Sequence, residues 1–441
     1  MCYYNKQYMD FQGVIGGEGM EQELKKSIGW LQGSAMTIGA VLGSGVLVLP
    51  SLAADMAGPA SLVSWGLMGI LTIPLVIVLA NLSILYPSAG GIAAYARQAF
   101  GERAGRITGC LFLGTVPFGA PICALIGAYY LGHFFSLNVA GVTMIAISML
   151  AIALLANYHG IRFSGNIQAL VVGSIAAALL ASIIAAWPTV KTHAFYPFAP
   201  KGWQPVGSVM AVLFWAYVGW EMICHLAEEF QNPKQDIRRS LGVSLVVVNL
   251  LYLGLAYVTV GTGIYLGQDK LTALTGLLEG GWGRIAGSVV AILGVAACYA
   301  TIHTYVAGFS RLVYAEAREG HFPAWFDRLH AVHGTPYRVF MVLGPFSMLV
   351  LLIGMWLNLD MSMLIQFPSS IFVMLYIITT AAGIKLLPAK SLGYYCAWAA
   401  FIVCVLIYLF NGWVSLYPPI LAGMTWLFER RGAIGVLRKV S

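Results

Sequence analysis

Residues 39–50 read GAVLGSGVLVLP, three glycines and a proline inside a long apolar run. Residues 213–226, LFWAYVGWEMICHL, set Gly219 and Glu221 inside a second such run. Gly43 and Gly45 permit backbone angles closed to other residues, and Pro50 has no amide hydrogen, which leaves the carbonyl of Val46 unpaired. A chain with this pattern can leave helical geometry and resume it. A second half-helix starting near Ser44 to Val46 offers free N–H groups and a positive dipole end to a carboxylate. Carbonyls released at the end of the first half, around Val41, accept from an ammonium. A ligand with both charges on one carbon is an amino acid. The alternative for Gly43-Ser44-Gly45 is close helix packing, since small residues let membrane helices approach. The matched interruption at Gly219 and the proline downstream favour a binding site.

Glu221 is the one formally charged side chain deep within an apolar run, whereas Asp55, Asp360 and Arg284 fall near the ends. Carrying an ionised carboxylate to mid-membrane costs on the order of 3 kcal/mol or more. The residue therefore exchanges a proton during a working cycle, latches a gate through hydrogen bonds, or stays a protonated acid capping the second half of its helix. Phe214, Trp215 and Tyr217 flank the break, either covering a ligand or packing. Pro117, Gly119 and Pro121 in VPFGAP, and Pro368, Ser369 and Ser370, mark kinked helices that either line a path or are simply tolerated. His225 and His303 either relay protons or hydrogen-bond a neighbouring helix. His321, His330 and His333 share a loop without the cysteine or carboxylate spacing of a metal site and are expected to be solvated. Asn232-Pro233 reads as a helix start, and Gly320 with Pro323 as a helix stop.

The elements that must position these residues are membrane spans. The chain of 441 residues is 59% hydrophobic and 9% charged, with a mean hydropathy of +0.82, the composition of a polytopic membrane protein rather than a set of soluble domains. Apolar stretches of about 20 residues, enough to cross a bilayer, predict twelve helices: 30–57, 60–86, 104–133, 138–157, 165–187, 204–227, 239–264, 284–315, 338–357, 361–386, 392–411 and 413–428. With both termini in the cytosol, all but Lys191, Lys201, Lys270 and Arg284 of the 24 lysines and arginines fall on the inner side, as the positive-inside rule requires. The net charge of +7 thus reports orientation against an anionic leaflet and calls for no nucleic acid. Seven cysteines without CxxC spacing read as small apolar packers, with no disulfide framework, metal or cofactor. The first twenty residues have no apolar signal core. Met20 is expected as the natural start, because codons for the Gly-Gly-Glu-Gly before it can spell a purine-rich ribosome-binding site.

Organisation follows from the spans. Residues 1–27 form an N-terminal cytosolic segment, 28–188 a first five-helix unit, 204–386 a second unit of opposite membrane orientation, 389–428 two peripheral helices, and 429–441 a cytosolic tail. The stretches PSAGGIAAYARQAFGERAGRITG and GQDKLTALTGLLEGGWGRIAG, after the second and seventh spans, both read as short amphipathic helices ending in a glycine-rich, arginine-bearing approach to the next span. One lies inside and the other outside, as inversion requires.

Taken in order, GSGVLVLP, PSAGGIAAYARQAFG, YVGWE, EEFQNPKQDI and SRLVYAEAREGHFP resemble the amino acid-polyamine-organocation superfamily over residues 28 to about 430. The resemblance implies the leucine-transporter-like fold: all-α, twelve spans, a 5+5 inverted repeat, and helices 1 and 6 broken. Within the superfamily the chain is similar to the bacterial amino acid efflux branch, which exports methionine and branched-chain amino acids across the cytoplasmic (inner) membrane. By position, the resemblance implies that Gly43, Ser44, Gly45 and the adjacent backbone hold the substrate carboxylate. It puts the carbonyls of Val41, Trp215 and Val218, beside Gly219, on the amino group. It also makes Trp215 an aromatic over the substrate, and Glu221, with Tyr217, a gate or proton-coupling group. Ala40 and Ala120 stand where related antiporters of cationic substrates carry polar groups, which favours a neutral apolar amino acid. Cys298, Tyr299 and Tyr305 complete the pocket. The expected partners are a small neutral amino acid, the lipid bilayer, and a proton; sodium, bound by backbone carbonyls with Thr301 or Thr304, stays open. Net uptake through the same site, a non-transporting sensor, and an intramembrane hydrolase with Ser44 as nucleophile are the alternatives. The last lacks the glycine that GxSG requires, because Leu42 stands there.

Overall fold

A computed structural model describes residues 26, 28–88, 90–160, 165–267, 270–318, 322–357 and 359–427. The expectations for Met20, Gly320, His321 and the tail 429–441 fall outside them, as does all of the N-terminal segment but Lys26. The described residues are helical throughout apart from loops and one isolated parallel bridge, Ile28 to Phe230.

In chain order the helices are α1 (Trp30–Val41), α2 (Gly45–Ala57), α3 (Ser61–Leu85), α4 (Gly91–Phe100), α5 (Glu102–Leu113), α6 (Val116–Phe134), α7 (Val139–Tyr158) and α8 (Gly165–Ala186). They continue with α9 (Pro205–Leu213), α10 (Met222–His225), α11 (Pro233–Thr262), α12 (Ala273–Trp282), α13 (Arg284–Arg318), α14 (Tyr337–Trp356), α15 (Met361–Leu386) and α16 (Leu392–Leu409). A last helical stretch runs over 417–427. Among the described residues, ten segments are long and apolar enough to cross a bilayer, against twelve expected. The difference has a local cause. The first expected span is divided, its α2 half runs through a 3-10 turn at Gly58–Ala60 into α3, and the last expected span opens on another 3-10 turn at Gly412–Leu416 and is described only to residue 427.

Two groups of helices pack tightly within themselves. One holds α1, α2, α3, α9 and α11; the other holds α6, α7, α13 and α14. α16 lies outside, against α3 and α15. The expected kink in the third span is a jog at Gly114–Thr115, three residues before Pro117, and the Gly114 carbonyl it frees accepts from Tyr417 at 3.0 Å. α1 is tied to α11 by hydroxyls that compensate for the lack of any hydrophobic drive between helices in lipid. Ser240 Oγ donates to the Trp30 carbonyl at 2.8 Å and Ser244 Oγ to that of Ser34 at 3.2 Å. At the start of α11, Asn232 takes the N-cap position as expected, but the carboxylate of Asp236 does the bonding, accepting from Asn232 N–H at 2.9 Å.

The two stretches singled out after the second and seventh spans fold alike. α4 and α12 are each ten residues long. Each ends in a glycine of nearly the same unusual conformation, Gly101 (φ 95°, ψ 174°) and Gly283 (φ 85°, ψ 175°), before α5 and α13 begin. A side chain at either would be strained, so the shared glycine is a backbone requirement.

Outside the spans, His159 and His333 face each other with Nδ1 and Nε2 3.2 Å apart, and His330 stacks on His333 at 4.7 Å. Loss of hydration and the two neighbouring imidazoles hold His333 below the ordinary histidine value of 6.5. A folded-state value below the unfolded one means that this contact stabilises above about pH 6.5 and is lost as pH falls through the lowered value. NMR of histidine-labelled protein is expected to show His333 titrating below 6.5.

Candidate functional site

α1 ends at Val41 because Leu42 turns out of helical geometry (ψ 48°) after a last bond to the Ile38 carbonyl at 2.8 Å. α2 starts at Gly45, so residues 42–44 are the interruption. In the sixth expected span, α9 tightens into a 3-10 turn at Phe214–Tyr217, Val218 is extended, and Gly219 takes φ 120° before the short α10. The two interruptions touch backbone to backbone. A β-carbon on Gly219 would lie 2.7 Å from both the carbonyl carbon and oxygen of Ala40, and 2.9 Å from the Val41 nitrogen. Only glycine satisfies both the angle and the space.

Around that junction the groups freed by the breaks find partners, as buried polar groups must. Tyr252 Oη of α11 lies 2.8 Å from the Val41 carbonyl oxygen and 2.9 Å from that of Ala216. Ser369 Oγ donates to the Ala211 carbonyl, one turn before the break, at 2.6 Å. Glu221, 4% exposed, accepts at Oε2 from Gly219 N–H at 2.9 Å and from the Tyr376 hydroxyl. Tyr305, expected in the pocket, is half-buried on α13.

Trp215 joins the two packing groups. The pyrrole edge of its indole covers Gly45, where a β-carbon would be 2.7 Å from Cδ1, and its benzo edge covers Gly119, at 3.2 Å from Cη2. Ser44 Oγ and Cys123 Sγ pair at 2.9 Å across the same interface, and Tyr130 Oη donates to the Leu47 carbonyl at 2.8 Å. Gly43 is half-buried, and a β-carbon there would meet nothing closer than the Ala40 oxygen at 3.9 Å, so the first break has room for one added carbon.

Of the expected site residues, Val41, Gly43, Ser44, Gly45, Trp215, Val218, Gly219 and Glu221 lie on or between the two interruptions. Tyr217 donates to Asn249 Oδ1 at 3.1 Å and packs with Trp65 and Tyr252. Cys298 is buried beside Gly127, and Tyr299 stacks on His303. His225 lies flat on Gly91, and His303 Nδ1 is 3.1 Å from Asn157 Nδ2. A cavity of about 660 Å³ lies apart from the junction, lined by Asn157, His303, Thr304, Arg311, Tyr314 and His333 among others. At about 100° per residue, His303, Ala307 and Arg311 project from α13 on the side opposite Cys298 and Tyr305. Tyr252, Tyr376 and Cys123 escaped the sequence reading. A tyrosine in the middle of an apolar span was the available signal, since a buried phenol needs a partner.

This arrangement has released backbone groups in mid-span, a buried carboxylate and no constellation for bond cleavage. Its relatives agree. A Bacillus subtilis protein described as an uncharacterized amino acid permease, YecA, is 44% identical over 93% of this chain and 97% of its own. The Escherichia coli L-methionine/branched-chain amino acid exporter YjeH is 33% identical over 92% and 96%. The Bacillus subtilis branched-chain amino acid permease BcaP is 26% identical over 77% of each. Such proteins are permeases and not enzymes, which removes the hydrolase alternative. With the profile of the amino acid permease family matching residues 28–429, the chain belongs to that family, a multi-pass membrane protein of the amino acid-polyamine-organocation superfamily.

Proposed function

We propose that the protein is a secondary active transporter that exports neutral apolar amino acids, methionine, leucine, isoleucine and valine, from the bacterial cytoplasm by proton-coupled alternating access. The observation that carries this is the meeting of two interrupted helices, Gly219 against Ala40 and Val41, with room for an added carbon at Gly43. Mid-membrane backbone that is not helical is tolerated where it serves a polar cavity, and half-helix ends of this kind suit the two charges of an amino acid. The resemblance to the exporter YjeH favours export and an apolar side chain, as does the absence of polar groups at Ala40 and Ala120.

In this reading the chain has twelve spans with both termini cytosolic, arranged as inverted units 28–188 and 204–386 with 389–428 peripheral. The matched pair of ten-residue helices ending at Gly101 and Gly283 supports the repeat. The group holding α1, α2 and α9 rocks against the group holding α6 and α13. Trp215, Ser44 with Cys123, and Tyr130 with the Leu47 carbonyl are the contacts that tie the groups together at the junction. Movement of the indole off Gly45 uncovers the N-terminal end of α2 for the carboxylate. Glu221 carries the proton and, with Tyr376, latches the second break.

Counterflow of radiolabelled amino acids in proteoliposomes, with and without pH and sodium gradients, tests this directly. Methionine, leucine, isoleucine and valine are expected to exchange and arginine is not; no counterflow with any amino acid would sink the proposal. A second arm locates the site. Gly43→Cys is expected to react with a membrane-permeant maleimide in excess of the parent protein, and methionine is expected to slow that reaction. A second reading, uptake through the same site, is favoured by the likeness to the permease BcaP; the direction of accumulation in an imposed pH gradient separates the two.

A further inference from the structure

Arg311 makes no ion pair and no hydrogen bond among the described residues, although it lies within the apolar segment Arg284–Tyr314. An ionisable side chain in such a segment points to a functional site and calls for a partner. On α13 it follows Thr304 and Gly308 at the i, i+4, i+7 spacing that puts three residues on one face of a helix. All three are exposed, and all three line the cavity of about 660 Å³ that lies apart from the junction. A β-carbon on Gly308 would meet nothing within 4 Å, so the glycine keeps the cavity open between the hydroxyl and the guanidinium.

The cavity is built from three helices. α7 contributes Asn157, 6% exposed, and α13 contributes His303, 5% exposed; their side chains meet at 3.1 Å, which fixes that wall. Ser310 and Thr335 also line it, but their hydroxyls donate to the carbonyls of Ala307 and Tyr158 at 3.0 and 2.7 Å. The Arg311 guanidinium and the hydroxyls of Thr304 and Tyr314 are left without an acceptor among the described residues. No carboxylate is among the described residues that line the cavity. Several unused donors, one group permanently charged, suit an anion that presents several oxygens.

We propose that this cavity between α7, α13 and the start of α14 is a binding site for a phosphate group, carried by an anionic phospholipid headgroup or by a soluble phosphate, with Arg311 as its charged ligand and Thr304 and Tyr314 as hydroxyl donors. Its volume falls in the range of about 300–1,000 Å³ usual for small-molecule sites, and the guanidinium fork matches phosphate oxygens in geometry as well as charge. Pro336 and Phe340 of the α14 side give an apolar wall for the glycerol carbons of a lipid. Under the orientation proposed above, this end of α13 lies at the cytosolic leaflet, where basic pockets between membrane helices bind anionic headgroups. The site is separate from the substrate junction. An occupant would brace α7 and α13 within the group against which the broken helices move.

The test uses the purified full chain in detergent, with dioctanoyl-phosphatidylglycerol, dioctanoyl-phosphatidylcholine and inorganic phosphate as probes. Binding is read from the rise in melting temperature with probe concentration and from native mass spectrometry. The phosphatidylglycerol is expected to bind saturably where the phosphatidylcholine does not. Arg311→Gln, which keeps length and removes charge, is expected to weaken that binding at least about tenfold, the factor that one lost charge-assisted hydrogen bond supplies. Gly308→Leu fills the cavity without touching a charge and is expected to abolish binding. Arg328→Gln, at an exposed arginine outside the lining, is expected to bind as wild type.

Arg311-dependent binding of inorganic phosphate without the lipid assigns the site to a soluble phosphate; lipid binding that inorganic phosphate does not displace assigns it to the headgroup. Binding of none of the probes overturns the proposal, as does equal binding of the two lipids or an affinity unchanged in both Arg311→Gln and Gly308→Leu. Should one of these variants fail to fold, the other decides. Binding is read without transport, so a wild type that exchanges no amino acid sinks the transporter reading and leaves this one standing.

Discussion

Gly219→Ala is expected to abolish amino acid exchange and to lower the melting temperature. Two costs combine. Gly219 has φ 120°, where an L side chain is strained by about 1–3 kcal/mol. The added carbon would also sit 2.7 Å from two backbone atoms of Ala40 and 2.9 Å from a third in Val41. Backbone cannot swing aside as a flexible side chain does, so the two interruptions must part. Their separation breaks the bonds that depend on their register, Tyr252 to both carbonyls and Gly219 N–H to Glu221. The control is Gly43→Ala, whose β-carbon has space and which is expected to fold with a melting temperature close to wild type. Counterflow with a thermal melt on each purified variant checks both; a Gly219→Ala protein that exchanges normally would remove the junction from the mechanism.

The breaks themselves were legible because glycine, proline and serine in an apolar run have few reasons to be there, and a buried carboxylate has fewer. That reading fixed where α1 stops and α2 starts to within two residues, and it paired Gly43–Gly45 with Gly219. The likeness of the two glycine-ended helices was visible as well, although the matching backbone angles at Gly101 and Gly283 were not. What stayed hidden is tertiary. Nothing in the neighbourhood of Tyr252, Tyr376 or Cys123 in the chain reveals that they meet residues 36, 155 or 79 positions away. The bond from Tyr217 to Asn249, 32 positions away, was hidden for the same reason.

The second large effect is expected at Glu221, where two substitutions separate two roles. Oε2 accepts from both Gly219 N–H and the Tyr376 hydroxyl. A glutamine can present its amide oxygen at the same place and keep both bonds, but it carries no titratable proton. Glu221→Gln is therefore expected to bind and exchange methionine with near wild-type affinity while losing all accumulation driven by a pH gradient. Glu221→Ala removes the oxygen as well and leaves a buried N–H and O–H without partners, at about 1–3 kcal/mol each. That variant is expected to lose exchange together with accumulation, and to melt at lower temperature. Tyr376→Phe supplies the third comparison: it retains the carboxylate and one of its donors, so proton-driven accumulation should persist at reduced rate. Measured side by side in proteoliposomes across pH 5.5 to 8, a range that spans ordinary titration near neutrality, the three variants decide between proton carrier and latch. An unchanged pH dependence in Glu221→Gln would leave the carboxylate as a latch alone and move the coupling proton elsewhere.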